Sequence, residues 1–157
     1  MPKITALIHT HNDGLRIGRT LDSLRSCDQV VVVDHGSSDN TEKVARDHGA
    51  NIKIGTPGID YGACAADSSN DWVLCLCADE SLNEELEASL FEWKLQQHDG
   101  DAGFNMRIRK ESEGGWEILD PQTRLVNRRK IDWRGDLPPT NGANDVIKGY
   151  ILKFRNP

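Results

Sequence analysis

The chain has 157 residues, 37% hydrophobic and 28% charged, with a formal net charge of −6. That length suits one domain able to bury a core without disulfides or metals, and no apolar run approaches the roughly 18 residues of a membrane span. An acidic whole argues against nucleic acid as a partner, because phosphate neutralisation dominates that affinity.

The start, MPKITALIH, lacks the small-residue cleavage site of a signal peptide and reads as a first strand over Ile4–His9. Asn12-Asp13-Gly14 offers a turn and helix cap. Leu15, Ile17, Leu21 and Leu24 then recur close to helical spacing. Gln29–Asp34, QVVVVD, is a β-branched run suited to a sheet covered on both faces. Asp39 and Glu42 are spaced like a capping box for a second helix that Gly49 stops. NIKI (Asn51–Ile54) is a third strand, broken by Gly55, Pro57 and Gly58, and Tyr61–Ser69 has room for one or two helical turns. WVLCLC (Trp72–Cys77) is the fourth strand. Ser81 and Glu84 make a second capping box before a helix that Gly100 closes. Such alternation predicts a parallel sheet with right-handed crossovers.

Beyond Gly100 the pattern changes. GFNMRIRK, the segment around WEILD, TRLVNRR and VIKGYILKF read as strands joined by turns at Gly114-Gly115, Arg134-Gly135-Asp136 and Asn141-Gly142. The chain is therefore expected to be a single domain, 1–157, with an α/β part over 1–100 and a smaller, mainly antiparallel β part over 101–157. Charge divides along the same line. Residues 1–100 hold 8 Lys/Arg against 17 Asp/Glu, a net of −9, and residues 101–157 hold 11 against 8, a net of +3. The basic run Arg124–Lys130, RLVNRRK, reads as a solvated strand and turn, although it could face an anionic ligand. Four cysteines, Cys27, Cys64, Cys75 and Cys77, are few for this length and fit reduced core thiols in a cytoplasmic protein.

In an open parallel sheet, ligands bind outside the carboxyl ends of the strands, near the point where strand order reverses. Those ends carry Thr10-His11-Asn12-Asp13, Asp34-His35-Gly36-Ser37 and Ala78-Asp79-Glu80. Three strand ends bearing polar or acidic residues on one edge form the strongest functional signal in the sequence. A zinc site built from His9, His11, His35 and Cys77 is an alternative, but no C-x₂-C or H-x₃-H spacing supports it.

The motifs THND, VVVDHGSSDNT and DWVLCLCADE, in that order and at these spacings, resemble family two glycosyltransferases of the GT-A fold, closest to the lipopolysaccharide-core type. The resemblance covers roughly Ile4 to Trp93 and is weak beyond Gly100. It implies a Rossmann-like mixed sheet with helices on both faces and an antiparallel C-terminal part. It also implies transfer of a sugar from a nucleotide-sugar, a UDP-sugar, to a glycan or lipid-linked acceptor. The setting would be the cytoplasm, with room for peripheral contact at the inner face of the membrane.

The resemblance further assigns residues. Asp34 would accept a hydrogen bond from the uracil imide, with Thr10 and Asn12 lining the same nucleotide pocket; the rival role for Asp34 is that of a turn residue capping HGSS. Asp39 reads better as a helix cap. Asp79 falls on the second acid of the family's Asp-Ala-Asp motif, which holds Mg²⁺ or Mn²⁺ against the diphosphate, and Glu80 follows it.

Three departures stand beside this. Cys77 occupies the place of the first motif aspartate, a soft thiol poorly matched to a hard cation. Pro138-Pro139 falls where the family has His-Glu near the acceptor, which leaves Asp136, or Glu111 and Glu113, as candidate bases. GACAADSSND lacks the family's Arg-Asn pair. A degenerate module that holds a nucleotide or nucleotide-sugar without turnover is thus the alternative to an active transferase. A protein-interaction role for the basic C-terminal hairpins is a third reading.

Overall fold

A computed structural model describes residues 1–55 and 68–157. Among the described residues eleven elements follow in chain order: β1 (Ile4–Thr10), α1 (Ile17–Asp22), β2 (Gln29–Asp34), α2 (Thr41–Asp47), β3 (Asn51–Ile54), β4 (Trp72–Cys77), β5 (Glu80–Leu82), α3 (Glu84–Trp93), β6 (Gly103–Ser112), β7 (Gly115–Asn127) and β8 (Val146–Lys153). One eight-stranded sheet takes the order β3-β2-β1-β4-β7-β6-β8-β5. β1, β2, β3 and β4 run parallel, and β7 joins antiparallel to β4, so the sheet passes without a break from the first part of the chain into the second.

Strand alternation builds two cores. Ile4, Ala6, Ile8, Val32, Leu74 and Leu76 face one way and meet Ile17, Ala45, Leu86 and Leu90 from the three helices. Leu7, Val31, Val33, Val73, Cys75 and Val126 face the other way and are covered by Trp133, Ile131 and Leu137. Helices were expected on both faces; among the described residues all three pack on one. The physical reason is handedness. β1-α1-β2 and β2-α2-β3 step in the same direction along the sheet, so right-handed crossovers place both helices on the same side. The helical turns expected over Tyr61–Ser69 fall largely outside the described residues.

Several boundaries move for local reasons. α1 stops at Asp22 because the Ser23 hydroxyl bonds the Thr20 carbonyl at 2.7 Å and accepts the Leu82 amide at 3.0 Å, drawing the chain out of the helix. Neither expected capping box forms. Glu42 pairs with Arg46 at 2.6 Å instead of reaching back, while Asp39 accepts the Thr41 amide at 3.0 Å. Ser81 lies inside β5, paired with Leu152 of β8, so α3 begins later, with Asn83 accepting the Leu86 amide at 2.9 Å. WEILD and TRLVNRR, expected as two strands, are one strand, β7. Its register against β6 shifts between Met106 and Ile108, which leaves Pro121 in the irregular stretch where its missing N–H costs no ladder bond. β8 runs parallel to β6 and antiparallel to β5. No helix among the described residues is long and apolar enough to cross a membrane.

Candidate active site

Strand order reverses between β1 and β4, and the nucleotide and metal candidates read from the sequence lie at the ends of the strands around that point. β1 delivers His9 and Thr10, β2 delivers Asp34, and β4 delivers Cys77 followed by Ala78 and Asp79. In register, Thr10 pairs with Asp34 and His9 with Cys77. A cleft of about 370 Å³ opens at this edge, lined by Thr10, Arg16, His35, Cys77, Asp79, Asp136 and Lys153 among others. A larger hollow of about 770 Å³ lies around Pro2, Asp71 and Arg129, at the opposite ends of the strands. Its Asp71 and Arg129 already pair at 2.7 Å, and a parallel sheet does not place ligands at that edge.

The loops after β1 and β2 lock together through the residues expected to meet a nucleotide. The Thr10 hydroxyl donates to Asp13 Oδ2 at 2.6 Å, and Asp13 Oδ1 lies 3.3 Å from Arg16 Nε. Asn12 sits at φ 54°, a left-handed conformation that asparagine tolerates. Its Oδ1 accepts the Ser38 amide at 2.8 Å, and its own amide donates to Ser37 Oγ at 2.9 Å. That hydroxyl in turn donates to Asp34 Oδ1 at 2.5 Å. Asp34 is therefore buried and does hold the HGSS turn, and both of its bonds to Ser37 use Oδ1. Asp39 Oδ2 accepts the Gly14 amide at 3.0 Å, so this residue ties both loops together while its Oδ1 holds the Thr41 amide at the start of α2.

His9 and His35 stack with ring centroids 5.2 Å apart, and Nδ1 of the first lies 2.9 Å from Nε2 of the second. His11 Nδ1 donates to the His35 carbonyl at 2.7 Å. Burial holds the His35 pKa down, opposed by the nearby Asp34 charge. These histidines and Cys77 do come together. Among the described residues, however, no three His, Cys, Asp or Glu side chains form a group that could hold a metal.

The acidic end of β4 is organised by two cations that sequence reading did not assign to it. Glu80 is 1% exposed, and Arg124 grips it with Nη1 to Oε1 at 2.7 Å and Nη2 to Oε2 at 2.8 Å. The Cys77 amide adds a third bond to Oε1 at 2.8 Å. Burial alone would raise the Glu80 pKa, but Arg124 outweighs it and holds the carboxyl below its ordinary range. The run Arg124–Lys130 is thus not wholly solvated: its first residue is buried, with Nη1 also reaching the Cys75 carbonyl at 3.1 Å. Asp79 Oδ1 lies 2.9 Å from Lys153 Nζ, which is also 3.9 Å from Glu80 Oε2. Burial works to lower the Lys153 pKa, and the bond to Asp79 with the Glu80 charge raises it on balance. Cys77 has its thiol pushed up to about 12, mainly by burial and then by the charge of Glu80.

The family's metal motif can be tested against this geometry. A neutral thiol stands in place of the first acid, Lys153 holds the second, and Arg124 with the Cys77 amide occupies Glu80. These three residues do not form a ligand set for a hard divalent cation, and the metal role expected of Glu80 gives way to that of a buried counter-ion. The candidate bases also separate. Asp136 lines the cleft, whereas Glu111 and Glu113 line another hollow, at the β6–β7 hairpin, with Arg155. Glu111 Oε1 accepts the Arg155 amide there at 3.2 Å, so Glu111 is not placed to serve this cleft.

Comparison with known proteins fits this arrangement. Residues 5–150 match the family model described as Glycosyl transferase family 2. An uncharacterized glycosyltransferase of Rickettsia prowazekii is 38% identical over 94% of this chain and 54% of its own length. One of Rickettsia bellii is 37% identical over 98% of this chain and 55% of its own length. The chain thus spans about half the length of these relatives. Among solved structures, mannosyl-3-phosphoglycerate synthase from Rubrobacter xylanophilus aligns over 71% of this chain and 42% of its own, at 21% identity and a TM-score of 0.56. Glucosyl-3-phosphoglycerate synthase from Mycobacterium tuberculosis, solved with Mg²⁺ and UDP, aligns over 68% of this chain and 44% of its own, at 22% identity and a TM-score of 0.55. These two share the GT-A-type mixed sheet. With its family model matched over nearly the whole chain and its polar strand ends gathered at the switch point, the protein belongs to glycosyl transferase family 2.

Proposed function

We propose that this chain carries the donor-binding part of a glycosyltransferase that moves a sugar from a UDP-sugar to a glycan or lipid-linked acceptor. Residues 1–100 would supply the nucleotide end of the donor site and residues 101–157 the acceptor side. The single observation that carries the reading is the gathering of Thr10, Asp34 and Asp79 at the carboxyl ends of three adjacent parallel strands, in a chain of this family. Mg²⁺ and UDP are bound by the mycobacterial synthase. Here the donor set at Asp79 does not match that ion, and no step below depends on it.

In this reading Asp34 accepts the uracil imide N–H, a charge-assisted bond, and the Asn12–Ser38 link fixes the loop beside it. The acceptor hydroxyl attacks the anomeric carbon, the bond from that carbon to the diphosphate oxygen breaks, and its electron pair leaves with UDP. Asp136, a carboxylate lining the cleft, takes the hydroxyl proton as general base.

Calorimetric titration of UDP tests the reading. The unmodified protein is expected to bind, and Asp34→Asn to lose at least about tenfold in affinity. Asparagine keeps an acceptor for Ser37, so the turn survives and the loss reports on the base. Unchanged affinity in that variant would reject the assignment. A second reading, a nucleotide-holding module without turnover, is favoured by the protonated Cys77 thiol in the motif's first position. UDP binding with no release of UDP from any UDP-sugar, with or without acceptors, would select it.

A further inference from the structure

We infer that the Lys153 ammonium, not a divalent cation, neutralises the diphosphate of the donor in this chain. The inference rests on the donor reading above and specifies its charge chemistry. Lys153 is the last residue of β8, and its backbone is held where β8 pairs with both β5 and β6. Its side chain reaches the cleft, remains 29% exposed there, and meets Asp79 at 2.9 Å.

The position is the one a metal would need. Lys153 Nζ already sits on Oδ1 of the Asp79 carboxylate and 3.9 Å from Glu80 Oε2, so a cation bound to Asp79 would face a positive charge held beside it. The other two residues of the motif offer that cation little: Cys77 presents a soft sulfur, and both Glu80 oxygens are taken by Arg124. An incoming diphosphate meets a different situation. Its oxygens compete with Asp79 for a lysine that is already charged and partly desolvated, and such a lysine can share its three N–H donors between carboxylate and phosphate. Arg16 lines the same cleft with its guanidinium 33% exposed and oriented by Asp13, and it adds a second positive group. Asp79 then acts as the residue that holds Lys153 in place.

The experiment titrates UDP and, separately, uridine into the unmodified protein, Lys153→Met and Lys153→Arg, each in EDTA and in Mn²⁺. In the unmodified protein, UDP affinity in EDTA should lie within about threefold of that in Mn²⁺. Lys153→Met should weaken UDP by about tenfold and leave uridine unchanged, while Lys153→Arg keeps most of the UDP affinity. A tenfold or greater gain on adding Mn²⁺ to the unmodified protein would overturn the inference, as would unchanged UDP affinity in Lys153→Met. The metal comparison needs no variant, so it decides the matter even if Lys153→Met folds poorly. Uridine separates the two layers of the argument. Uridine binding with no advantage for UDP rejects the lysine site alone, and absence of binding by both ligands rejects the donor reading together with it.

Discussion

Arg124 and Glu80 form a bidentate ion pair, 2.7 and 2.8 Å long, between β7 and the first residue of β5, with both side chains almost wholly shielded from water. With the Cys77 amide on Glu80 and the Arg124 guanidinium on the Cys75 carbonyl, the pair ties the segment that carries Cys77 and Asp79 to β7. Removing one partner leaves the other charged and buried. Glu80→Ala should therefore cost about 3–5 kcal/mol, and Glu80→Leu with Arg124→Met much less, because that double change removes both charges. Guanidinium denaturation of the single and double variants checks this. Were Glu80 an exposed ligand, the single variant would lose little stability.

The same pair sets a pH dependence. The Glu80 pKa is lower in the folded chain than its ordinary value of 4.5. Its contribution is thus fully present above about pH 4.5 and is lost as pH falls through the lower, folded value. Unfolding midpoints measured from pH 7 downward should decline over that acid range, and Glu80→Gln should flatten the part of the decline due to this group.

A carboxylate at position 77 would restore the family's acid pair. Cys77→Asp should raise Mn²⁺ affinity only modestly, because Lys153 still competes for Asp79. Combining it with Lys153→Ala should raise it by a further tenfold or so. Mn²⁺ titration followed by electron paramagnetic resonance reads both. Equal weak binding in all variants would mean that the cleft geometry does not admit the ion.

Gly149 sits at φ 114°, and a Cβ placed on it would lie 2.4 Å from the Leu86 backbone nitrogen. β8 thus passes directly against the start of α3, where Asn83 Oδ1 also accepts the Tyr150 amide at 3.1 Å. Gly149→Ala combines backbone strain with a steric clash and should destabilise by about 2–5 kcal/mol in chemical denaturation. Asn83→Ala should cost about 1 kcal/mol by loss of the cap, and more where the Tyr150 bond is also felt, whereas Ser81→Ala should cost less. Equal losses would restore Ser81 as the cap.

The parallel half of the fold was legible because its signals are local. QVVVVD and WVLCLC are short β-branched or apolar runs, and β2 and β4 match them residue for residue. The switch-point cleft followed from strand order and from polar residues at strand ends, and the motif resemblance led to the same residues. What escaped was non-local. Ser81 looked like a cap because nothing in the sequence says that β8, some 70 residues later, pairs with it. Arg124 looked solvated because its neighbours Arg128, Arg129 and Lys130 form a basic run, and its buried partner is 44 residues away. Lys153 gave no signal beyond a charged strand end. Its alternation within VIKGYILK could place it on a sheet face but could not say that the face meets Asp79.

The central claim is that the cleft beside Asp34 reads a uracil nucleotide, and a calorimetric comparison of UDP with CDP on the unmodified protein tests it most directly. Uracil offers an imide N–H to a carboxylate, whereas cytosine presents a lone pair at the same position. The account predicts that UDP binds at least about tenfold more tightly than CDP. Equal affinities, or heat from neither ligand, would contradict it.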